Sequence, residues 1–335
     1  MPDDIILLAH GAGGGKSAEL VREVFLAHFA NATLAQLGDA AVLEASGRLA
    51  FTTDAFVVSP LFFPGGDIGK LAVCGTVNDL AAMGATPVAL SAAFILEEGL
   101  EIDVLRRVVE SMARAAKEAG VPIVAGDTKV VPRGSADKIF ITTSGIGLLP
   151  DRPLPAPERA AAGDAVLVTG TLADHGMAVM IRREGLDFTA EICSDCAPLA
   201  GLVAALLDAV PDVHCLRDPT RGGLAAVLNE LAASSGVCIE IDEECIPVSP
   251  DVRVACELLG IDPLHVANEG KMVVILPAEN ADAALAALRN HPFGCNAAII
   301  GRVQSAPAAR VHLRTSLGTL RILDVPAGDL LPRIC

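Results

Sequence analysis

The sequence contains no tryptophan and no tyrosine, and ten phenylalanines bring its aromatic content to only 3%. Basic residues are also scarce, because 25 Lys and Arg stand against 41 Asp and Glu, a formal net charge of −16. Binding to nucleic acid requires stripes of basic residues and gains from aromatic side chains on which bases stack. The composition therefore excludes nucleic acid as an expected partner.

Long apolar runs are missing as well. Although 52% of the residues are apolar, Gly, Pro or charge interrupts each run well before the roughly 18 residues that a membrane span needs. The start, Met1–Asp4, is acidic where a secretory signal would be basic, and Ile5–Ala9 is too short for the apolar core of a signal. Nine irregularly spaced cysteines suit a reducing compartment better than a disulfide framework. We therefore expect a cytoplasmic globular protein with no membrane segment.

Only Cys193 and Cys196 form a close cysteine pair. A zinc site of this kind usually needs a second pair at matching spacing, which is missing here. The spacing favours an incidental pair over a metal site.

The length and one proline-rich segment indicate two domains. A chain of 335 residues is about twice a typical single domain. Leu149–Glu158 holds four prolines in ten residues, which rules out a helix and makes a central strand improbable. Pro326–Cys335 has two prolines, a glycine and neither periodicity. We predict an N-terminal domain over residues 1–150, a second domain over 151–325 and a flexible tail over 326–335.

Hydrophobic periodicity predicts mixed helices and strands on both sides of that boundary, so the expected fold class is α/β in the broad sense that includes α+β. No fixed-period repeat is visible, which excludes a solenoid or propeller. The predicted strands are Leu49–Thr53, Val88–Leu96, Lys138–Leu149, Ala165–Thr169 and Lys271–Leu276. The predicted helices are Ile68–Met83, Ile102–Ala119, Gly222–Ala233 and Ala281–Arg289, and short strands follow the last helix up to Leu323.

The glycine-rich start His10–Ser17 suggests a phosphate-binding loop, because backbone N–H groups of a glycine run can surround an anion. It fails both standard patterns. A Walker A loop with Gly15 as its second glycine needs Gly where His10 stands. A dinucleotide fingerprint starting at Gly11 needs Gly or Ala where Lys16 stands. A flap over a ligand, including Gly11 and Gly13, and a plain loop remain alternatives.

Four aspartates lie at or near the ends of apolar segments, and they give a stronger signal: Asp39, Asp54, Asp79 and Asp127. An aspartate among apolar residues is costly to desolvate unless a positive charge meets it. Mg²⁺ prefers hard oxygen ligands and usually shares them with nucleotide phosphates, so the four carboxylates with a triphosphate would form a coherent site. The alternative for each aspartate is a helix cap or a turn.

At these residues the sequence resembles the HypE family of hydrogenase maturation factors, a branch of the AIR synthetase or PurM-like ATP-binding superfamily. The resemblance covers nearly the whole chain. The ending Pro332–Cys335 narrows the resemblance from the superfamily to the HypE family. The other motifs that carry it are His10–Gly14, Leu37–Val42, Phe51–Asp54, Gly75–Ala85, Ala125–Val130, Arg217–Leu224 and Asn268–Met272.

The resemblance implies a fold, a reaction and partners. Such proteins form homodimers through N-terminal sheets that close into a shared β-barrel, with an α/β domain alongside and ATP with Mg²⁺ between the halves. HypF loads a carbamoyl group onto the terminal cysteine, here Cys335, and ATP-dependent dehydration converts the thiocarbamate to a thiocyanate. The cyano group then passes to the HypC–HypD complex for the iron of a [NiFe] hydrogenase.

That chemistry assigns candidate roles. Lys129 would stabilise charge on the carbamoyl oxygen or the phosphoryl group, with an exposed surface lysine as the alternative. Glu269 would take the amide proton if burial raises its pKa, with a turn residue as the alternative. Asp218 and Arg221 would serve the phosphate end, orient the tail or cap a helix. The full set of expected nucleotide-binding residues is Gly11, Gly13, Asp39, Asp54, Asn78, Asp79, Asp127, Thr128, Asp218 and Arg221.

Cys335 must reach two partners and its own active site, which fits its place on a mobile, non-periodic segment. A prenylation signal needs its cysteine four positions from the end, so lipidation is excluded. Two other functions compete with this interpretation. One is another ATP-dependent superfamily enzyme acting on a small substrate, such as selenophosphate synthetase or thiamine monophosphate kinase, and the other is a nucleotide-sensing scaffold without turnover.

Overall fold

The computed structural model describes residues 4–12, 14–37, 40–186, 192–325 and 331–335. Its N-terminal half contains one four-stranded sheet in the order β1-β6-β4-β5, in which only the β4–β5 pair is parallel. The strands of this half are β1 (Leu49–Phe56), β2 (Phe62–Phe63), β3 (Gly66–Asp67), β4 (Thr86–Glu97), β5 (Ile123–Val131) and β6 (Ile139–Leu148). Its helices are α1 (Gly15–Leu20), a π-helical turn (Val21–Leu26), α2 (Ala27–Phe29), α3 (Ile68–Ala82) and α4 (Ile102–Ala119).

Helices α3 and α4 lie on one face of this sheet and leave the other face open. Strand β1 alternates accordingly, with Thr52, Asp54 and Phe56 turned toward α3 and Phe51 turned outward. The side chain of Asp67 begins α3 by accepting hydrogen bonds from the N–H groups of Gly69 and Lys70. The two faces therefore differ chemically, because one is a packed core and the other is a partly apolar surface.

The C-terminal half is built on a seven-stranded sheet in the order β13-β12-β9-β11-β7-β10-β8. Its strands are β7 (Asp164–Val168), β8 (Cys215–Arg217), β9 (Cys238–Asp242), β10 (Val273–Pro277), β11 (Ala298–Gln304), β12 (Arg310–Arg314) and β13 (Leu320–Ile322). Its helices are α5 (Asp174–Glu184), α6 (Ala200–Ala209), α7 (Gly223–Ser235), α8 (Pro250–Leu259) and α9 (Ala281–Arg289).

Both faces of the larger sheet are buried at its centre, along β7 and most of β10. Alternate residues of β7 contribute to two separate apolar clusters, one with α7 and one with α6 and α9. Every residue of this strand is buried, which explains its uninterrupted apolar sequence. A third cluster joins α3 and α4 of the first half to α5 and α8 of the second, so the halves share a core.

The mixed α and β fold is confirmed, and each predicted strand and helix overlaps an observed one. Periodicity missed the helices α1, α2, α5, α6 and α8 and the strands β2, β3, β5, β8 and β9. The miss at β5 matters most, because its sequence Ile-Val-Ala-Gly-Asp-Thr-Lys was interpreted as the end of an apolar segment, whereas the strand continues through the charged residues to Val131. Among the described residues, no helix is long and apolar enough to span a bilayer.

The last five residues are docked against the body of the protein. The main-chain N–H groups of Val57 and Ser59 donate to the carbonyl oxygens of Cys335 (3.1 Å) and Arg333 (3.2 Å). Arg183 of α5 donates to the carbonyl oxygens of Pro332 (2.8 Å) and Arg333 (2.7 Å). Ile334 is buried, so the end of the chain packs into the shared core. The predicted flexible tail therefore has a docked position for its last five residues.

Replacing Arg183 with Ala is expected to release the tail. The change removes two charge-assisted hydrogen bonds to tail carbonyls, and each such bond contributes roughly 1 to 3 kcal/mol, so the undocked population should rise at least about tenfold. The measurement is the alkylation rate of Cys335, read from the C-terminal peptide by mass spectrometry, together with amide exchange at Val57 and Ser59. Arg182→Ala, on the exposed side of the same helix, is the matched control. Equal rates in both variants would show that Arg183 does not hold the tail.

Candidate active site

Two predicted aspartates meet between the N-terminal sheet and α3. Asp54 lies within β1 and Asp79 within α3, and the Thr52 hydroxyl donates to the Asp79 carboxylate at 2.7 Å. Burial first, and then the neighbouring charge of Asp79, raise the pKa of Asp54 from 3.8 to about 6. Neither side chain caps a helix or closes a turn. Helix capping and turn formation, the structural alternatives for these two aspartates, are therefore excluded.

Asp218 brings a third carboxylate from the C-terminal half. It lies in the turn between β8 and α7, and burial together with the charges of Asp79 and Asp54 raises its pKa from 3.8 to about 7. Arg221 follows in the same turn and acts against the pKa rise at Asp54. The cleft thus holds three half-buried carboxylates whose mutual repulsion a bound cation would relieve.

Glu269 lies at the base of this cleft and is buried. Desolvation raises the pKa of Glu269 well above 4.5, and Cys196, Asp218, Asp195 and Asp54 add to the effect in that order. Its Oε1 atom is buried with no hydrogen-bond partner among the described residues. A buried polar atom of this kind needs a partner to offset its desolvation, so Glu269 is suited to meet a ligand.

Two asparagines tie the surrounding segments together. The Asn78 amide donates to the carbonyl oxygens of Ala197 (3.0 Å) and Glu269 (3.1 Å) and accepts from the N–H of Leu199 (2.7 Å). Its role in nucleotide binding stays a prediction, since these contacts engage the amide with main-chain groups. Sequence reasoning assigned no role to Asn268, although it lay inside a quoted motif.

Asn268 holds the neighbouring turn in the same way. Its amide donates to the carbonyl oxygens of Pro219 (3.0 Å) and Val266 (2.9 Å) and accepts from the N–H of Ala173 (2.8 Å). Asp218 precedes Pro219 and Glu269 follows Asn268. The two carboxylates are therefore held in a fixed relation by one buried amide.

Asp127 and Lys129 lie elsewhere in the chain. The register β5–β4–β6–β1 aligns Asp127 with Ala93, Thr142 and Ala55, on the open face of the sheet opposite Asp54. Lys129 contacts both oxygens of the Asp127 carboxylate at 2.8 Å and, by this hydrogen bond, lowers the pKa of Asp127. Within one chain, the structure does not bring these two residues to the cleft carboxylates.

A cavity of about 370 Å³ lies beside β5, and Gly11, Asp127, Thr128 and Lys129 contribute to its lining. A Cβ on Gly11 would lie 2.6 Å from the backbone nitrogen of Val130, so only glycine allows this approach of the N-terminal segment. The segment before α1 therefore covers a cavity, as a flap would. The rest of the cavity wall is largely apolar and includes Leu20, Val21, Phe25, Phe29, Leu34 and Phe94.

Gly13 and Asp39 lie outside the described residues, and their expected roles stay predictions. Within the described residues, no group of three His, Cys, Asp or Glu side chains is arranged to hold a metal ion. Asp54 and Asp79 nevertheless fit a cation that takes its remaining ligands from phosphate and water, as Mg²⁺ does. Burial, and then the charge of Asp79, raise the pKa of Asp54, and a bound cation would lower it.

Comparisons with known proteins agree with this architecture. Residues 37–149 match the N-terminal domain, and residues 161–314 the C-terminal domain, of the AIR synthase related proteins. Carbamoyl dehydratase HypE of Cupriavidus necator is 54% identical over 98% of this chain and 94% of its own length. The chain belongs to the HypE family. HypE of Escherichia coli, at 50% identity over 98% of the chain and 99% of its own length, is similar to the same extent.

Solved HypE structures share the whole fold. The crystal structure of a hydrogenase maturation protein HypE in complex with ATP superposes with a TM-score of 0.95, at 53% identity, over 98% of this chain and 99% of that one. A HypE–HypF complex contains a chain that is similar at 53% identity, with a TM-score of 0.81, over 92% of this chain and 99% of that one. Thiamine-monophosphate kinase of Stenotrophomonas maltophilia, at 21% identity and a TM-score of 0.65, shares the fold alone.

The carboxylates of this HypE family member should make stability depend on pH. The pKa of Asp218 is about 7 in the folded protein and ordinarily 3.8, so the folded state keeps a proton that the unfolded state releases between these values. Stability from this group is complete below about pH 4 and is lost as pH rises through about 7.

Asp218→Asn removes this loss. The variant should gain thermal stability over the parent as pH rises from about 5 to about 8, on the order of a few degrees in Tm. Calorimetry without nucleotide or divalent cation measures the difference. Asp282→Asn, at an exposed position of α9, is the control that should show no such trend. A pH-independent difference for Asp218→Asn would contradict the assigned cause.

Proposed function

We propose that this chain uses ATP to dehydrate an S-carbamoyl group on its own Cys335 to a thiocyanate, and so supplies the cyanide ligand of a [NiFe] hydrogenase iron. The observation that carries the proposal is the docked terminus. Val57, three residues along from Asp54, donates its N–H to Cys335, so the final residue lies roughly 10 Å along the strand from the cleft carboxylates. Relatives named carbamoyl dehydratase and a HypE structure with ATP support the same activity.

The reaction requires a leaving group for oxygen and an acceptor for protons. Transfer of the γ-phosphoryl group to the carbamoyl oxygen lets that oxygen leave as phosphate, while the nitrogen loses two protons as the C≡N bond forms. ADP and phosphate are the other products. The protein's part is mainly positioning and charge neutralisation.

Glu269 is the base in this proposal. Burial raises the pKa of Glu269, which makes its carboxylate a stronger proton acceptor than an exposed glutamate. Its buried Oε1 atom has no hydrogen-bond partner among the described residues, so it would gain one from a carbamoyl N–H group that reached it. We assign the first proton to this atom.

Asp54 and Asp79 are the residues that would hold Mg²⁺, with Asp39 as a further candidate. Bound there, Mg²⁺ would neutralise phosphate charge. Arg221 supplies a fixed positive charge near Asp54. We keep Lys129 as the candidate for stabilising charge on the carbamoyl oxygen or the phosphoryl group, and Asp127 and Thr128 as its neighbours at the cavity beside β5.

A homodimer is part of the proposal, supported by the open sheet face. Leu49, Phe51 and Ile95 are 48%, 70% and 42% exposed on this face. Large apolar side chains left exposed on the open face of a sheet are typical of a protein interface. Asp127 and Lys129 lie on the same face, so a dimer formed there would bring them to the interface.

Two further partners follow from the proposed reaction. HypF would carbamoylate Cys335, which the structure of a similar chain in a HypE–HypF complex supports. A HypC–HypD complex would accept the cyano group. Both partners would need the terminus undocked, whereas the dehydration step would need it docked.

Mass spectrometry of the C-terminal peptide tests the reaction directly. After incubation with the carbamoyltransferase, carbamoyl phosphate and ATP, the parent should carry a carbamoyl group on Cys335 that then loses one water. Glu269→Gln should accumulate the carbamoylated peptide, with dehydration at least about 100-fold slower because the base is lost. Cys335→Ala should bind ATP and show neither modification.

The same experiment separates the competing functions. An enzyme acting on a small substrate would keep its rate in Cys335→Ala. A scaffold would form no stoichiometric ADP from carbamoylated protein. An unmodified parent peptide under conditions in which the carbamoyltransferase is active would overturn the proposal.

Phe51→Glu should dissociate the homodimer. A buried unpaired carboxylate costs several kcal/mol, and a two-fold interface would suffer the change twice. Sedimentation equilibrium should show a rise in the dimer dissociation constant of at least about 100-fold. Leu317→Glu, at a 90% exposed position of the other domain, is the control. A dimeric Phe51→Glu variant would exclude this face as the interface.

A further inference from the structure

The short segment Glu269–Lys271 carries the candidate base, and contacts from distant parts of the chain hold it in place. It lies between Asn268 and β10 with all three residues buried. The main-chain carbonyl of Glu269 is held by Asn78, but this contact fixes only one side of the peptide. The other contacts come from Asp195.

Asp195 lies in the irregular stretch before α6 and contacts both residues that flank Gly270. Its Oδ1 accepts the main-chain N–H of Glu269 at 3.1 Å. Its Oδ2 lies 3.3 Å from the Lys271 ammonium, an ion pair rather than a hydrogen bond. The two side chains are only 2% and 11% exposed, so both contacts are shielded from water.

Gly270 closes the arrangement. A Cβ at this position would lie 1.8 Å from the carbonyl oxygen of Asp195, so the two main chains are in direct contact. Any larger residue would push Glu269 away from its place. The fit requires glycine for space rather than for an unusual backbone angle.

The stretch that carries Asp195 is itself fixed. The N–H of Ser194 donates to the carbonyl oxygen of Pro64 at 2.8 Å, and its hydroxyl accepts from the N–H of Cys196. At the other end Leu199 donates to Asn78. Asp195 therefore stands on a rigid support tied to the N-terminal half.

We propose that Asp195 is a positioning residue for the reaction: by accepting the main-chain N–H of Glu269 on one side of Gly270 and pairing with the side chain of Lys271 on the other, it aims the carboxylate of Glu269 into the cleft. The inference rests on the proposed function, since it gives Glu269 its orientation rather than its chemistry. Asp195 also adds negative charge near Glu269, alongside Asp218 and Asp54, and Lys271 offsets part of that charge.

A matched pair of double variants isolates the hydrogen bond to Glu269. Asp195→Asn with Lys271→Met removes the buried ion pair but keeps an oxygen that accepts the Glu269 N–H. Asp195→Ala with Lys271→Met removes the acceptor as well. A cavity of about 320 Å³ borders both positions and gives water access to an asparagine amide.

The dehydration rate of pre-carbamoylated protein at saturating ATP is the first measurement. The Asn variant should stay within about threefold of the parent, and the Ala variant should fall about 10- to 100-fold, because a misplacement near 1 Å has a cost of this order. The KM for ATP should be the same in both, since neither position belongs to the expected nucleotide-binding residues. Equal rates for the Asn and Ala variants would overturn the proposal.

Amide exchange at Glu269 is the second measurement and does not depend on activity. The N–H should be protected in the parent and the Asn variant and should exchange at least about tenfold faster in the Ala variant. If the parent made no thiocyanate but showed this pattern, the proposed function would fail while the positioning contact stood. Equal protection in all three proteins would refute the contact itself.

Gly270→Ala covers the case in which the Ala double variant does not fold. It should slow dehydration at least tenfold while carbamoylation by the carbamoyltransferase continues, on the order expected for a displaced base. Gly201→Ala is the control, because its Cβ would meet only the His291 ring at 3.3 Å. A Gly270→Ala variant with the parent's rate would count against the proposal.

Discussion

The amide of Asn78 connects the two halves of the molecule at the point on which the site depends. It projects from a helix of the N-terminal half and makes three hydrogen bonds to main-chain groups of the C-terminal half, two around residues 197–199 and one at Glu269. Both N–H donors and the oxygen of this buried amide are hydrogen-bonded, in a position where an unpaired polar group would cost about 1 to 3 kcal/mol. The relative placement of the halves near the cleft is therefore set by polar contacts of defined geometry as well as by the shared apolar core.

This frame supports an electrostatically unfavourable arrangement. Asp54, Asp79, Asp218 and Glu269 approach one another with few cations, and burial and mutual repulsion raise the pKa of Asp54, Asp218 and Glu269. Such strain is typical of sites that are completed by a ligand. A cation bound with a polyphosphate would reverse the sign of the local field, so binding energy would be gained where the ligand-free protein is least stable.

The sequence contained most of the fold and only part of the site. Periodicity located the long amphipathic helix Ile102–Ala119 to the residue, because one face of it is buried and the other is polar. It failed at β5, where Asp127 and Lys129 lie on the open face of an edge strand and break the apolar pattern without ending the strand. The sequence also does not show that Asp54 and Asp127 point to opposite faces of one sheet. Each is followed by a short polar or apolar residue, which does not indicate the face on which the carboxylate lies.

Contacts between distant segments could not be predicted from the sequence for a different reason. Asp195 stands in the sequence between Cys193 and Cys196, and the partners of its carboxylate lie about 75 residues away, at Glu269 and Lys271. A hydrogen bond to a main-chain N–H has no sequence signature, because the donor is the same at every residue except proline. Positioning residues of this kind can be found only after the fold has brought the two segments together.

The docked tail shows how one contact surface can serve two chemical states. Within residues 331–335, main-chain oxygens accept from His175, Arg183 and the N–H groups of Val57 and Ser59, while the side chains of Leu331 and Ile334 are buried. These atoms are unchanged when the Cys335 sulfur carries a carbamoyl group or a cyano group. The body therefore holds the tail through main-chain atoms and the buried side chains of Leu331 and Ile334, and these contacts involve none of the atoms of a group on the sulfur.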